Sequence, residues 1–116
     1  MPKFFISATL PDDFTPTEAD VAAGPKIHAF NAELEAAGAL FFACGLFPAN
    51  TAKVVTPLQN GEVNVTDGPF LETKEHIGGF LIIDAADMDE AMAWARRGAA
   101  AGGRPLEVRQ IFFQED

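Results

Sequence analysis

The chain has 116 residues, 48% of them hydrophobic, with 11 Phe, no Tyr, one Cys and a formal net charge of -9. That length suits one domain whose core needs neither disulfides nor structural metal, and apolar content of this size excludes a disordered tail. The acidic balance lacks the clustered Lys and Arg that displace counterions from phosphates, so no nucleic-acid partner is expected, and Cys44 has no second thiol with which to build a disulfide or zinc site.

The opening MPKFFISATLPDDF carries one lysine and an apolar run broken by polar residues and proline. It fits neither a signal peptide nor a membrane span, so a cytoplasmic protein with no membrane partner is expected. KFFISA predicts the first strand, closed by the turn-rich LPDDFTPTEAD. Thr17 and Asp20 have capping-box spacing, with Asp in place of Glu. The helix they open is expected to break or restart at Gly24-Pro25, because proline is tolerated only in a first helical turn. From there Ile27, Phe30, Leu34 and Ala37 form one apolar stripe, and Gly38 is the natural C-terminal cap.

ALFFACGLF predicts a second strand, apolar on both faces. In AKVVTPLQNGEVNV, Asn60-Gly61 between two β-rich runs marks an antiparallel hairpin. GGFLIIDA reads as a fifth, buried strand. Asp87 and Glu90 cap the helix MDEAMAWARRGAA, whose Met88, Ala91, Met92, Ala95 and Ala99 share a face. Gly102-Gly103 ends it, and PLEVRQIFF is the last strand. Residues 1–116 form one domain without internal repeats.

The order β, α, β, hairpin, β, α, β predicts an α+β fold: a ferredoxin-like antiparallel sheet with two helices on one face and an inserted hairpin. Two helices cannot cover both faces of the second strand, where Leu40, Phe42, Cys44 and Leu46 alternate with Phe41, Ala43 and Phe47. A bare apolar sheet face would exceed the few hundred Å² that monomers usually expose. A homodimer with two sheets packed face to face, roughly 10 Å apart, is therefore expected.

The chemistry concentrates in VNVTDGPFLETKEHIGGF, residues 63–80. Asp67-Gly68-Pro69 predicts a rigid turn, Phe70 is expected to plug into the core, and Gly78-Gly79 lets the backbone pass close to a neighbour. The Asp67 carboxylate either caps its own turn or serves as general base and ligand acceptor. Glu72 and Lys74, two apart on a strand, share a face and are candidate ligand-binding groups. His76 is a candidate catalytic residue at a strand entrance. His28 is a second, although its helix phase sets it on the solvent side. Arg104 and Arg109 are candidate carboxylate clamps, with Arg109 the one assigned to ligand binding. Arg96 and Arg97 are expected to pair with Asp89 and Glu90, and Trp94 to seal a core edge. HExxH, phosphate-loop and nucleophile-elbow patterns are absent, so no metal or cofactor is assigned.

TDGPFLETKEHIGGFLIID, with FNAELEAAGAL upstream and DMDEAMAWA downstream, closely resembles the DGPF group of YCII-related proteins from about residue 27 to the last strand. The resemblance implies a dimeric α+β barrel and a site built on a histidine-aspartate pair in a pocket at the dimer edge. The early-strand tyrosine common in that family has no counterpart here. Two functions follow from the resemblance: a small-molecule enzyme or ligand-binding protein using acid-base chemistry without a redox cofactor, or a noncatalytic sensor or interaction dimer in an extracytoplasmic-type sigma-factor pathway.

Overall fold

Local signals place most of the elements seen in the computed structural model, which describes residues 1–70 and 74–112. The first half of the chain forms β1 (Lys3–Pro11), α1 (Glu18–Ala36), β2 (Leu40–Gly45), a 3-10 turn (Ala49–Thr51) and β3 (Lys53–Pro57). It continues as β4 (Val63–Asp67), β5 (Glu75–Asp84), α2 (Met88–Gly102) and β6 (Glu107–Gln110). The protein is α+β: an antiparallel sheet in the order β2-β5-β1-β6, two helices, and a separate β3–β4 hairpin.

The helix starts obey their capping residues. The Thr17 hydroxyl accepts from the Asp20 N–H while the Asp20 carboxylate accepts from the Thr17 N–H, a complete capping box. Asp87 accepts from the Glu90 N–H at 2.9 Å. Gly38 and Gly103 take the left-handed conformation just beyond α1 and at the end of α2, with φ 72 and 68, which spares the clash a Cβ would meet there. In the hairpin, Gly61 at φ 85 donates to Leu58 O at 3.2 Å, and Asn60 Oδ1 accepts from the Glu62 N–H.

Pro25 does not break α1, contrary to the sequence expectation; it lies inside one 19-residue helix. Proline removes a single backbone donor there, and Gly24 before it has no Cβ to collide with the pyrrolidine ring. The capping box anchors the helix in front of Pro25, and burial of Phe30 and Leu34 anchors it behind.

Phe4 and Ile6 of β1 and Ile83 of β5 meet Phe30 and Leu34 of α1 and Ala91 and Ala95 of α2 in one core. Leu34 and Ile83 are fully buried. Leu34→Ala should lower the unfolding free energy by about 2–5 kcal/mol, the cost of lost transfer energy plus a residual cavity, read from urea denaturation.

The other sheet face is aromatic. The Phe80 ring lies 5.0 Å from Phe5 and 6.0 Å from Phe42, and Lys3 pairs with Asp84 at 2.7 Å. A register shift between Leu40 and Phe42 changes the simple alternation expected of β2. Leu40 packs on the helix-side core, while Phe41 and Phe42 are both exposed. Phe70 does not plug into the core; it is 81% exposed, because it follows the separate hairpin and not a strand of the main sheet. The molecule is flat, 49 × 45 × 19 Å, with a radius of gyration of 16.6 Å, against about 13 Å for a compact chain of this length. Among the described residues no helix is long and apolar enough to cross a membrane.

Candidate functional site: a helix–sheet cavity and a His–Asp pair on the same sheet face

The apolar stripe of α1 thins toward its N-terminus: Leu34 is fully buried, Ile27 is 41% exposed, and Ala23 one turn earlier offers only a methyl group. On α2 the facing residues include Gly98 and Gly102, and the sheet beneath carries Gly45, Gly78 and Gly79. Small residues on three sides leave space that no side chain fills, a cavity of about 600 Å³, within the range of small-molecule sites. Leu10, Phe14, Phe30, Leu81 and Leu106 give it a largely apolar wall.

The paired glycines act as the sequence implied. A Cβ on Gly79 would stand 3.0 Å from the Cys44 carbonyl oxygen, and one on Gly78 would stand 2.4 Å from Leu10 Cδ1. Gly78 therefore lets Leu10 lie flat against β5. Cys44, partly exposed and a free thiol, contributes to the cavity lining.

One ionic pair, Asp20–Arg104, stands in this lining. At the α1 start, Arg104 donates to Asp20 at 3.0 Å and stacks over the Phe14 ring at 4.8 Å, tying the chain after α2 to the first turn of α1. The Thr17 backbone N–H holds the Asp20 pKa below its ordinary 3.8; the Thr17 hydroxyl and Arg104 add to this, and partial burial opposes it. Because the folded-state pKa is depressed, this stabilisation is complete above the unfolded pKa and is lost as pH falls through the folded one. In urea midpoints measured from neutral pH downward, Asp20→Asn should be less stable than wild type above about pH 5, with the gap closing as the medium becomes acidic.

Outside the lining residues, His76 Nδ1 and Asp12 Oδ1 are 2.5 Å apart, joining residues 64 positions apart in the chain. The register explains the meeting. His76 pairs directly with Leu10 across β1 and β5, so its side chain leaves the sheet on the same face as Leu10, which lines the cavity. Asp12, two residues further, is held by its N–H donating to Lys74 O at 2.9 Å. An ionised carboxylate only accepts, so an ionised Asp12 takes this hydrogen bond from a proton on Nδ1. The His76 side chain is 18% exposed and that of Asp12 47%.

The structure distributes the other sequence candidates. Asp67 pairs with Lys53 across the last rung of the hairpin; it is strongly exposed and outside the cavity lining. Gly68 N donates to Ala52 O at 2.8 Å, and Gly68-Pro69 is cis. Lys74 is exposed and meets Asp12 through its backbone. Arg109, paired with Phe5, stands on the sheet face away from the helices. His28 is exposed on α1, in agreement with its helix phase. Glu72 lies outside the described residues. Arg97 pairs with Glu33 of α1 instead of Asp89 or Glu90, and it stacks on Trp94 at 4.9 Å; Trp94 in turn meets the Phe30 ring edge-on at 6.2 Å.

Residues 3–112 match the family model of the YCII-related domain. The chain belongs to the YCII-related family. A stretch of 36 residues is 58% identical to an uncharacterised protein of Rhizobium meliloti (strain 1021), covering 31% of this chain and 29% of that relative. In this YCII-related chain three features escaped the sequence reading: Asp12 as the partner of His76, the Asp20–Arg104 pair, and Asn31 in the cavity lining. Asp20 was visible only as half of a capping box. Asn31 had a fainter signal, a polar residue between Phe30 and Leu34 where the α1 stripe turns inward.

Proposed function

We propose that this YCII-related protein is an acid-base enzyme that holds a small, largely apolar molecule in the helix–sheet cavity and moves a proton with His76, which Asp12 orients and whose imidazolium it stabilises. The observation that carries this reading is the 2.5 Å His76–Asp12 pair on the sheet face that lines the cavity. General acid-base catalysis needs a positioned group that can exchange a proton, and a histidine held by a carboxylate is suited to that role. No redox cofactor is required for that chemistry. In this reading Asp67, Arg109 and His28 take no part in the proton transfer.

The working unit we propose is a homodimer of two ferredoxin-like sheets, a dimeric α+β barrel of the DGPF type. Support comes from the strand order β2-β5-β1-β6, the exposed Phe42 beside half-buried Phe5 and Phe80 on the face away from the helices, and a radius of gyration too large for a compact monomer. Small apolar molecules should be screened by thermal shift, since binding to the folded state raises apparent stability by mass action, and each hit should then be followed for turnover. Conversion that depends on His76 supports the enzyme. Binding without any conversion removes the catalytic claim and favours a noncatalytic sensor of the sigma-factor type.

A further inference from the structure

The charged groups of the cavity lining stand together at one end, where the chain leaving α2 meets the start of α1. Gly103 closes α2 in the left-handed conformation at φ 68, and Arg104 directly after it reaches the first turn of α1. Its guanidinium stacks over the Phe14 ring at 4.8 Å and donates from Nη2 to Asp20 Oδ1 at 3.0 Å. Arg104, Phe14 and Asp20 all line the cavity, so the guanidinium is fixed between two of its walls. A guanidinium carries several N–H donors in a planar fork. Among the described residues only Asp20 accepts from them, and 30% of the Arg104 side chain is accessible. Asp20 is committed in turn, because its Oδ2 accepts from the Thr17 N–H at 2.9 Å and from the Thr17 hydroxyl at 3.0 Å. This end of the cavity thus holds spare donors on a fixed cation whose charge Asp20 already balances.

We infer that the cavity selects an uncharged hydrophobic molecule bearing a carbonyl oxygen, a ketone, ester or amide, that accepts from the remaining N–H groups of Arg104. The inference rests on the reading of the cavity as the ligand site. A plain hydrocarbon would displace water from the guanidinium and give it no acceptor in exchange, which is unfavourable. A carboxylate would have to share the guanidinium with Asp20, a like charge, in a chain of net charge -9. A cation would meet Arg104 itself beside walls of Leu10, Phe30 and Leu81, which supply no counter-charge. A carbonyl needs only a donor, and a charged donor makes the stronger hydrogen bond. Arg104 is thus the specificity-determining residue of the site, and Asp20 sets its preference for a neutral acceptor.

Three probes of one shape separate these cases: 2-acetylnaphthalene, a neutral acceptor; 2-isopropenylnaphthalene, in which a methylene replaces the carbonyl oxygen; and 2-naphthoate, an anion. In amide NMR titrations of the full chain, a probe that enters the cavity should shift the Gly45, Gly78, Gly79 and Gly98 signals. The ketone should bind at least about tenfold more tightly than the other two, the worth of a hydrogen bond to a charged donor. In Arg104→Met the preference for the ketone over the hydrocarbon should vanish, while the hydrocarbon binds as well as before. In Asp20→Asn the unbalanced guanidinium should take 2-naphthoate at least about tenfold more tightly than in wild type. Should Arg104→Met fail to fold, the wild-type guanidinium N–H signals decide: the ketone should move them downfield relative to the hydrocarbon. Equal affinity of ketone and hydrocarbon in the wild type overturns the inference and leaves the cavity a ligand site, as does a preference that survives Arg104→Met. Tightest wild-type binding of the naphthoate, or no gain for it in Asp20→Asn, overturns the preference for a neutral acceptor. If no probe shifts the glycine amides, the ligand-site reading falls and the inference with it. Cavity binding with ketone selectivity but no turnover of any substrate leaves this inference standing and removes the enzymatic reading.

Discussion

His76→Gln should reduce turnover by about a hundredfold to ten-thousandfold, the share that a positioned acid-base group contributes. Glutamine preserves bulk and hydrogen bonding but cannot exchange a proton near neutral pH, so the loss should fall on kcat. Affinity should stay within about twofold, because His76 is outside the lining residues and the binding surface belongs to Leu10, Phe30, Asn31 and their neighbours. Asp12→Asn should cost a similar factor, since the amide removes the charge that supports the imidazolium and lets the ring adopt the opposite tautomer. The two changes together should be little worse than either alone, as residues acting as one unit are strongly non-additive. Full activity in His76→Gln would exclude proton transfer by this pair. A fall in affinity with kcat unchanged would make His76 a binding group.

Much of the fold was legible because it is written locally. The Thr17–Asp20 box, the Asp87 cap, Gly38, Gly103 and Asn60-Gly61 each act within a few residues of chain, and each is found where the spacing put it. Pro25 misled because a local rule was applied without the packing that overrides it: Phe30 and Leu34 bury the far half of α1 against the sheet. Phe70 misled for the opposite reason. Its hydrophobicity says that it prefers burial, and nothing local says that the preceding strands form a hairpin apart from the main sheet.

The site was less legible than the fold. The conspicuous charges between residues 67 and 76 drew attention to Asp67, whose partner proved to be Lys53 on the facing strand. His76 was visible as a titratable group, but its partner depends on β1–β5 register, including the irregularity between Ala8 and Thr9, and register across such a separation is a tertiary property. Glycine supplied the best indirect signal. Gly78-Gly79 indicated close backbone approach, and that approach forms one wall of the cavity. Asn31 has no motif at all; it stands out only through a side-chain oxygen buried without a partner among the described residues.

Phe42→Asp should convert the proposed homodimer into a folded monomer. The ring is 50% exposed on the face away from the helices, beside Phe80 at 6.0 Å. A phenylalanine offers roughly 200 Å², so about half remains for a partner to cover, about 2.5 kcal/mol per copy at 25 cal/mol/Å². An isologous interface uses each residue twice, which brings the loss to about 5 kcal/mol per dimer and weakens association by about three to four powers of ten. Desolvating the two introduced carboxylates adds to this. The monomer should survive, because its core lies on the opposite face, among Phe4, Ile6, Leu34 and Ile83. Light scattering at micromolar concentration should therefore give twice the chain mass for wild type and the chain mass for Phe42→Asp, with circular dichroism showing that helices and strands persist. Phe47→Asp provides a control on position: Phe47 is 87% exposed beyond the end of β2, so a partner limited to the sheet face should tolerate it. A wild-type chain that scatters as a monomer, or a Phe42→Asp variant that still scatters as a dimer, removes the face-to-face sheet arrangement.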